Sequence, residues 1–189
     1  MPRLRQIVFI ASLLGLCWLG MQAVHELGHV AAAMLTGGEV SQVVLHPLTI
    51  SRTDLGVNPR PLVVVWAGPL AGVLLPLAAA GVRWFVDNLA TRCVQFFAGF
   101  CLIANGAYIG LGTFERIGDC DVMLRHGTPM WVMIAFGIVA IITGLGLWHR
   151  LGSPRDFFTK PDAVSAWAVV LVSSSFLAMF ALGLLFSPS

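Results

Sequence analysis

The sequence predicts an all-α polytopic membrane protein with about five transmembrane helices and a short β-hairpin after the first. Three observations carry that prediction. Of 189 residues, 58% are hydrophobic and only 11% are charged, whereas a soluble domain carries about 25% charged residues. Mean hydropathy is +0.87. Apolar runs of spanning length alternate with short polar segments, and about 20 apolar residues suffice to cross a bilayer. Helices are expected near residues 6–36, 62–83, 93–113, 128–149 and 164–186, in a single membrane-embedded domain over 1–189. A net charge of +2 is too small for a nucleic-acid partner, and none is expected. The expected surroundings are a lipid bilayer, that of the cell membrane. Cys17, Cys93, Cys101 and Cys120 form no CxxC pair. Cysteine in an apolar run is usually a small hydrophobe, so no disulfide framework is expected.

The first span opens on Met1-Pro2-Arg3-Leu4-Arg5, followed by twenty residues without formal charge before Glu26. That start is similar to a secretory signal peptide. Met21-Gln22-Ala23 is a poor small-residue cleavage site, however, and the segment is read as a retained helix. The helical pattern runs on through His29 to Leu35, where Thr36-Gly37-Gly38 stops it. At ~1.5 Å per residue, His25 lies about 27 Å along the helix from Ile7, near one membrane face.

This span ends in His25-Glu26-Leu27-Gly28-His29, an HExxH motif. Positions i and i+4 share one helix face, so His25 and His29 can direct two imidazole nitrogens at one metal ion. Glu26 lies on the adjacent flank. Zinc suits such a site, because it lowers the pKa of water to about 7 and a nearby carboxylate can then take the proton. The alternative is a helix surface that happens to carry these groups. Ionisable residues in a membrane helix are costly and usually functional, which favours the metal site.

Glu39 to Thr53 is rich in β-favouring residues interrupted by His46-Pro47, and reads as a hairpin or two edge strands at the membrane surface. Thr53 to Pro61 reads as a loop from its Gly, Asn and Pro content. The second span, Leu62 to Val82, holds Ala67-Gly68-Pro69-Leu70-Ala71-Gly72, where proline predicts a kink and the small residues allow close helix contact. Arg83 to Arg92 reads as a polar turn. Cys93 to Phe114 is the third span, with Asn105 as its main polar side chain; its plain reading is an interhelical hydrogen bond. Charge then concentrates in Glu115, Arg116, Asp119, Asp121 and Arg125. Gly127 to Trp148 and Ala163 to Phe186 are the last two spans, joined by a polar loop from Arg150 to Asp162. Trp84, Trp131, Trp148 and Trp167 fall near span ends, where interfacial aromatics collect.

The stretch His25 to Ala32 with Gly37-Gly38, the β-rich segment, the helix with Ala67-Gly68-Pro69, and the later Asn and Asp resemble, in that order, the site-2 protease family of intramembrane zinc metallopeptidases. The resemblance covers about residues 7–126, leaving 128–186 as two additional spans. The chain departs from the family where an Asn often stands three residues after the proline; here that position is Gly72. It also has Ile117-Gly118-Asp119-Cys120-Asp121 in place of a Leu-Asp-Gly segment, and no PDZ-like insertion. The resemblance implies one zinc ion, held by His25, His29 and an acidic residue, with Glu26 as the proton-transferring base. It implies a membrane protein as substrate, cleaved in or next to its spanning segment. The hairpin would hold that substrate as an added strand, and Asn105 would steady the substrate backbone or the oxyanion, if its role is not structural.

With alternating spans, the segment after span three returns to the His29 side of the membrane. Glu39, Asp54, Glu115, Asp119 and Asp121 lie on that side. The resemblance assigns the first two to the substrate region, and Glu115 reads as a solvated helix end. Asp119 is the expected third ligand: Gly118 lets the backbone turn before it, and aspartate suits a helix start. Asp121 is the fallback, and Cys120 a chemically competent further choice. The N-terminal side carries Arg3, Arg5, Arg83, Arg92, Arg150, Arg155 and Lys160 against Arg52, Arg60, Arg116 and Arg125. The positive-inside rule therefore places the N-terminus in the cytoplasm, whereas the resemblance places the zinc site nearer the cytoplasm, and both orientations stay open. The competing function is a catalytically silent scaffold or binding protein of the same fold. A transporter would need polar residues across several spans, and the last two offer almost none.

Overall fold

The computed structural model describes residues 2–152 and 164–187. Among them the chain forms α1 (Pro2–Leu35), β1 (Val40–Val44), β2 (Arg52–Leu55), α2 (Pro61–Ala80), a 3-10 turn (Gly81–Trp84), α3 (Leu89–Glu115), α4 (Asp119–Arg125), α5 (Met130–His149) and α6 (Ala166–Phe186). Five of these helices, α1, α2, α3, α5 and α6, are long and apolar enough to cross a membrane. The protein is a multi-pass integral membrane protein of the expected fold class. The polar loop expected from Arg150 to Asp162 lies largely outside the described residues, as do Arg155 and Lys160.

Local chemistry sets the helix ends. After α1, Gly37 takes a φ of +78°, and the Gly38 N–H donates to the Ala33 carbonyl at 2.7 Å. This left-handed closure satisfies carbonyls that the helix would leave open. Pro61 opens α2 at a position where a missing N–H costs nothing, and Pro69 and Pro76 both lie inside the helix. Helix α3 starts at Leu89, earlier than hydropathy suggests, because Asn88 and Thr91 form a reciprocal capping box. Arg92, read from sequence as part of a turn, is therefore helical and pairs with Asp87 at 2.8 Å. Ser165 caps α6 by accepting from the Ala168 N–H at 3.1 Å.

Helices α1, α2 and α3 pack together, with α5 against α3 and α6 against α1. Glycines bring α3 and α5 close: a Cβ on Gly137 would lie 2.7 Å from both the Gly106 carbonyl oxygen and the Gly110 Cα. Such approach is how membrane helices gain contact without a hydrophobic driving force. Trp148 belongs to this contact and not to the interfacial set. Its indole N–H donates to the Phe96 carbonyl at 3.0 Å, and its ring stacks on Phe96. Trp84, Trp131 and Trp167 are exposed at span ends. On the other side, Phe9, Leu13 and Cys17 of α1 pack with Ala168, Val169 and Val172 of α6.

The strands pair antiparallel with Val43 opposite Thr53 and Val44 opposite Arg52, and a bulge falls between Val40 and Gln42. The second strand runs to Leu55, into the stretch read from sequence as loop. Val40 and Leu55 pack on Ala32, Ala33 and Val64, which docks the hairpin where α1 ends and α2 begins. Helix α6 reaches it too, through the Leu45 N–H donating to Ser187 Oγ at 2.8 Å.

The α3–α5 contact gives a direct test of this packing. Gly137→Ala is expected to destabilise the fold by about 1–3 kcal/mol, since rigid backbone must move to admit the methyl group. Gly146→Ala on the same helix meets open space and is expected to leave the thermal unfolding midpoint in detergent unchanged.

Candidate metal centre

His25, Glu26 and His29 are all buried on α1. The two Nε2 atoms stand 3.1 Å apart. From α4, Asp119 brings Oδ2 to 2.9 Å from His25 Nε2 and 3.3 Å from His29 Nε2. The shared membrane face expected for the two halves of the site is thus the arrangement seen.

The hydrogen bonds behind the imidazoles decide their tautomers. His29 Nδ1 lies 2.8 Å from the Val64 carbonyl oxygen. A carbonyl only accepts, so Nδ1 carries the proton. His25 Nδ1 lies 2.7 Å from Asn105 Oδ1. The other end of that amide, Nδ2, donates to the Cys101 carbonyl at 2.9 Å and faces the Gly72 carbonyl at 3.5 Å. Two carbonyls on that side require the NH2 there, so the oxygen faces His25 and His25 Nδ1 is the donor. In its neutral form each imidazole therefore turns an Nε2 lone pair toward Asp119.

Asp119 is placed by a strained turn. Arg116 and Gly118 take φ values of 52° and 51°, the left-handed region that non-glycine residues enter at a cost of roughly 1–2 kcal/mol. A Cβ on Gly118 would collide with the Tyr108 hydroxyl, to which the Asp119 N–H donates at 3.0 Å. Tyr108 also sets its ring edge-on to His25. Burial pushes the Asp119 carboxyl up; when a proton lies between it and the imidazoles, their hydrogen bonds outweigh burial and hold the group below the ordinary carboxylate range. Asp119 is thus an ionised donor.

Two imidazole lone pairs and a carboxylate oxygen at these separations repel unless they share a cation, a proton or a metal ion. Zinc bonds of ~2.0–2.1 Å at tetrahedral angles put ligand atoms about 3.3–3.4 Å apart. The spacings of 2.9, 3.1 and 3.3 Å are close to that, so the donor set fits such an ion.

Glu26 lies outside this triad. Its Oε2 accepts a hydrogen bond from the Thr53 hydroxyl of β2 at 2.6 Å. Both borders of the centre are drawn by glycine. A Cβ on Gly68 would strike the His29 ring, and one on Gly72 would lie 2.6 Å from the Asn105 amide. The position where the family often carries Asn is thus glycine because Asn105 reaches into that space from α3. A cavity of about 780 Å³ opens over the centre, lined by α1, the α2 start, α3, the Gly118–Asp119 turn and Arg52–Leu55 of β2.

The remaining candidates fall elsewhere. Asp121 pairs with Arg125. Cys120 is buried with its thiol toward the Tyr108 and Ile109 carbonyls, and burial pushes that thiol up to about 12. Glu39 and Glu115 are exposed, and Asp54 pairs with Arg52 on the cavity rim. Asn105 has both amide ends engaged, by His25 and by the Cys101 carbonyl. Sequence reasoning did not single out Thr53, Tyr108, Gly118's hydroxyl neighbour or Gln22, which lines the cavity one turn before His25. Only Gln22 carried a local signal, an amide at i and i+4 with Glu26.

This fold and centre define a membrane-embedded protein with a buried donor set of metal-ligand type. Residues 7–109, more than half the chain, match the family described as Peptidase M50B-like. The chain belongs to that family, and so to the site-2 protease group that its motifs resemble. No curated protein and no solved structure matches it. The matched segment stops before Asp119, so the case for that residue rests on geometry.

Gly118→Ala tests that geometry. The added methyl group meets both the Tyr108 hydroxyl and an unfavourable φ, a strain of about 1–3 kcal/mol. The variant is expected to unfold at lower temperature and to bind less zinc per chain, measured by plasma emission on the purified protein.

Proposed function

We propose that this protein is an intramembrane zinc endopeptidase that cleaves membrane-spanning or membrane-adjacent peptide segments. The observation that carries the reading is the convergence of His25 Nε2, His29 Nε2 and Asp119 Oδ2 at one buried point, with the Glu26 carboxylate in the same cavity. His25, His29 and Asp119 would hold the ion. Bound there, zinc supplies a Lewis acid that acidifies water and polarises the scissile carbonyl.

The rest of the chemistry belongs to the chain. Thr53 fixes Glu26 Oε2 and leaves Oε1 for proton transfer. Glu26 accepts a proton from the attacking water as its oxygen bonds to the carbonyl carbon. As the C–N bond breaks, Glu26 returns that proton to the leaving amine. Asn105 and the Val64 carbonyl hold the imidazoles through Nδ1, the outer support that metal-binding histidines generally need. Strand β2 pairs with β1 on one side only, and its residues line the cavity. A substrate segment added along the free edge of β2 would be unwound, exposing peptide bonds that a helix shields.

Three variants test the reading in purified full-length protein. Asp119→Ala is expected to lose zinc, and Asp121→Ala to keep it; the reverse would move the ligand to Asp121. Glu26→Gln is expected to keep zinc and to cleave a model membrane substrate about 10²–10⁴-fold more slowly than wild type. A wild type that binds zinc but cleaves nothing that depends on Glu26 would favour the silent scaffold instead.

A further inference from the structure

Gln22 stands three residues before His25 and four before Glu26, on the same face of α1. It is 4% exposed and lines the cavity over the metal centre. Its Oε1 is fully buried with no hydrogen-bond partner. Among the described residues neither end of its amide bonds to the protein.

The chain does not leave its other amides this way. Gln95 and Asn105 are the other two buried amide side chains among the described residues. Gln95 accepts from Arg83 and donates to the Leu147 carbonyl; Asn105 bonds His25 and the Cys101 carbonyl. Gln6 has an unpartnered Nε2 as well, but it is only half-buried and lies at the far end of α1. A buried amide without partners is rare and destabilising. In a membrane helix, an apolar residue of the same shape would cost less. The unmet Oε1 acceptor, on a residue that lines the cavity, therefore points to something that enters it.

We propose that Gln22 is a substrate-binding residue whose side-chain amide hydrogen-bonds the backbone of a peptide segment lying in the cavity, a role that rests on the proteolytic reading above. A carboxamide offers a donor and an acceptor together, the complement of a peptide N–H and C=O. It carries no charge and so does not select a charged side chain. An extended segment has backbone groups on both edges. The free edge of β2 can serve one of them, and the other would otherwise enter an apolar cavity unpaired. Four residues of helix, about 6 Å of rise, separate Gln22 from Glu26. An extended chain advances about 3.3 Å per residue, so the bonded peptide group lies within about two residues of the scissile bond.

The test uses full-length protein in phosphatidylcholine nanodiscs and a dye-labelled Leu/Ala transmembrane peptide of roughly 20 residues. Affinity is measured on the Glu26→Gln background, where the probe stays intact. Adding Gln22→Met, an apolar isostere, is expected to weaken binding about ten-fold, the size of one lost hydrogen bond. Zinc content and the unfolding midpoint report whether the variant has folded. If it has not, Gln22→Asn, which draws the amide back by one methylene, is expected to show the same loss. Replacing single peptide bonds of the probe by esters removes one N–H at a time. One ester position is expected to weaken binding to the parent and to have no further effect in Gln22→Met. Equal affinity of parent and variant, an ester effect that persists without Gln22, or no saturable binding by the parent would overturn the proposal. The two claims fail separately. Gln22-dependent binding without Glu26-dependent cleavage keeps Gln22 and removes the protease. Glu26-dependent cleavage that Gln22→Met leaves untouched, with equal binding, removes Gln22 alone.

Discussion

Two N–H groups hold this molecule together at its centre: Nδ1–H of His25, donated to Asn105, and Nδ1–H of His29, donated to the Val64 carbonyl. Each links α1 to a different neighbour, α3 in the first case and α2 in the second. Each also forces the opposite nitrogen to present a lone pair. The same bonds that pack three helices therefore prepare the donors. The packing must be tight for these bonds to form, and glycine makes it so at Gly68 and Gly72, where any side chain would meet the His29 ring or the Asn105 amide.

Seen this way, the departures from the family pattern have a physical account. An amide at residue 72 and an amide at residue 105 would compete for one volume, and this chain has kept the second. Asn105 then spends its oxygen on His25, which a residue on α2 would approach from another direction. At the third donor, Arg116 and Gly118 supply the turn, with Tyr108 receiving the Asp119 N–H. A longer loop is unnecessary because the hydroxyl of α3 stands where the turn must close.

Much of the fold was legible because membrane insertion is a local property. Span length follows from counting apolar residues, and the pairing of His25 with His29 follows from the helix repeat. The start of α3 was misplaced because charge at Arg92 looked like a turn, while the Asn88 and Thr91 cap that starts the helix is a short-range signal outweighed by hydropathy. Trp148 was misread because an indole at a span end faces lipid or a neighbouring helix according to what lies opposite, here Gly99 and Phe96. Asn105 stayed open between two roles for the same reason. Its partners outside α3 come from α1 and α2, and no periodicity within α3 encodes them. Asp119 was reachable only because topology limited which acids share a face with His29.

The hairpin joins these parts. Thr53 is one residue of a four-residue strand, yet its hydroxyl holds the carboxylate of Glu26 while its backbone pairs with Val43. The strand proposed to receive a substrate segment is thus bonded to the group proposed to move the proton. Its docking is apolar, through Val40 and Leu55 on Ala32, Ala33 and Val64, and Val64 is the residue whose carbonyl holds His29. A shift of β2 therefore acts on Glu26 directly and on His29 through one packed side chain. Because Glu26 and His29 are buried, such a shift leaves polar groups unpaired. That penalty keeps the strand, the carboxylate and the imidazole in register without a larger domain to brace them.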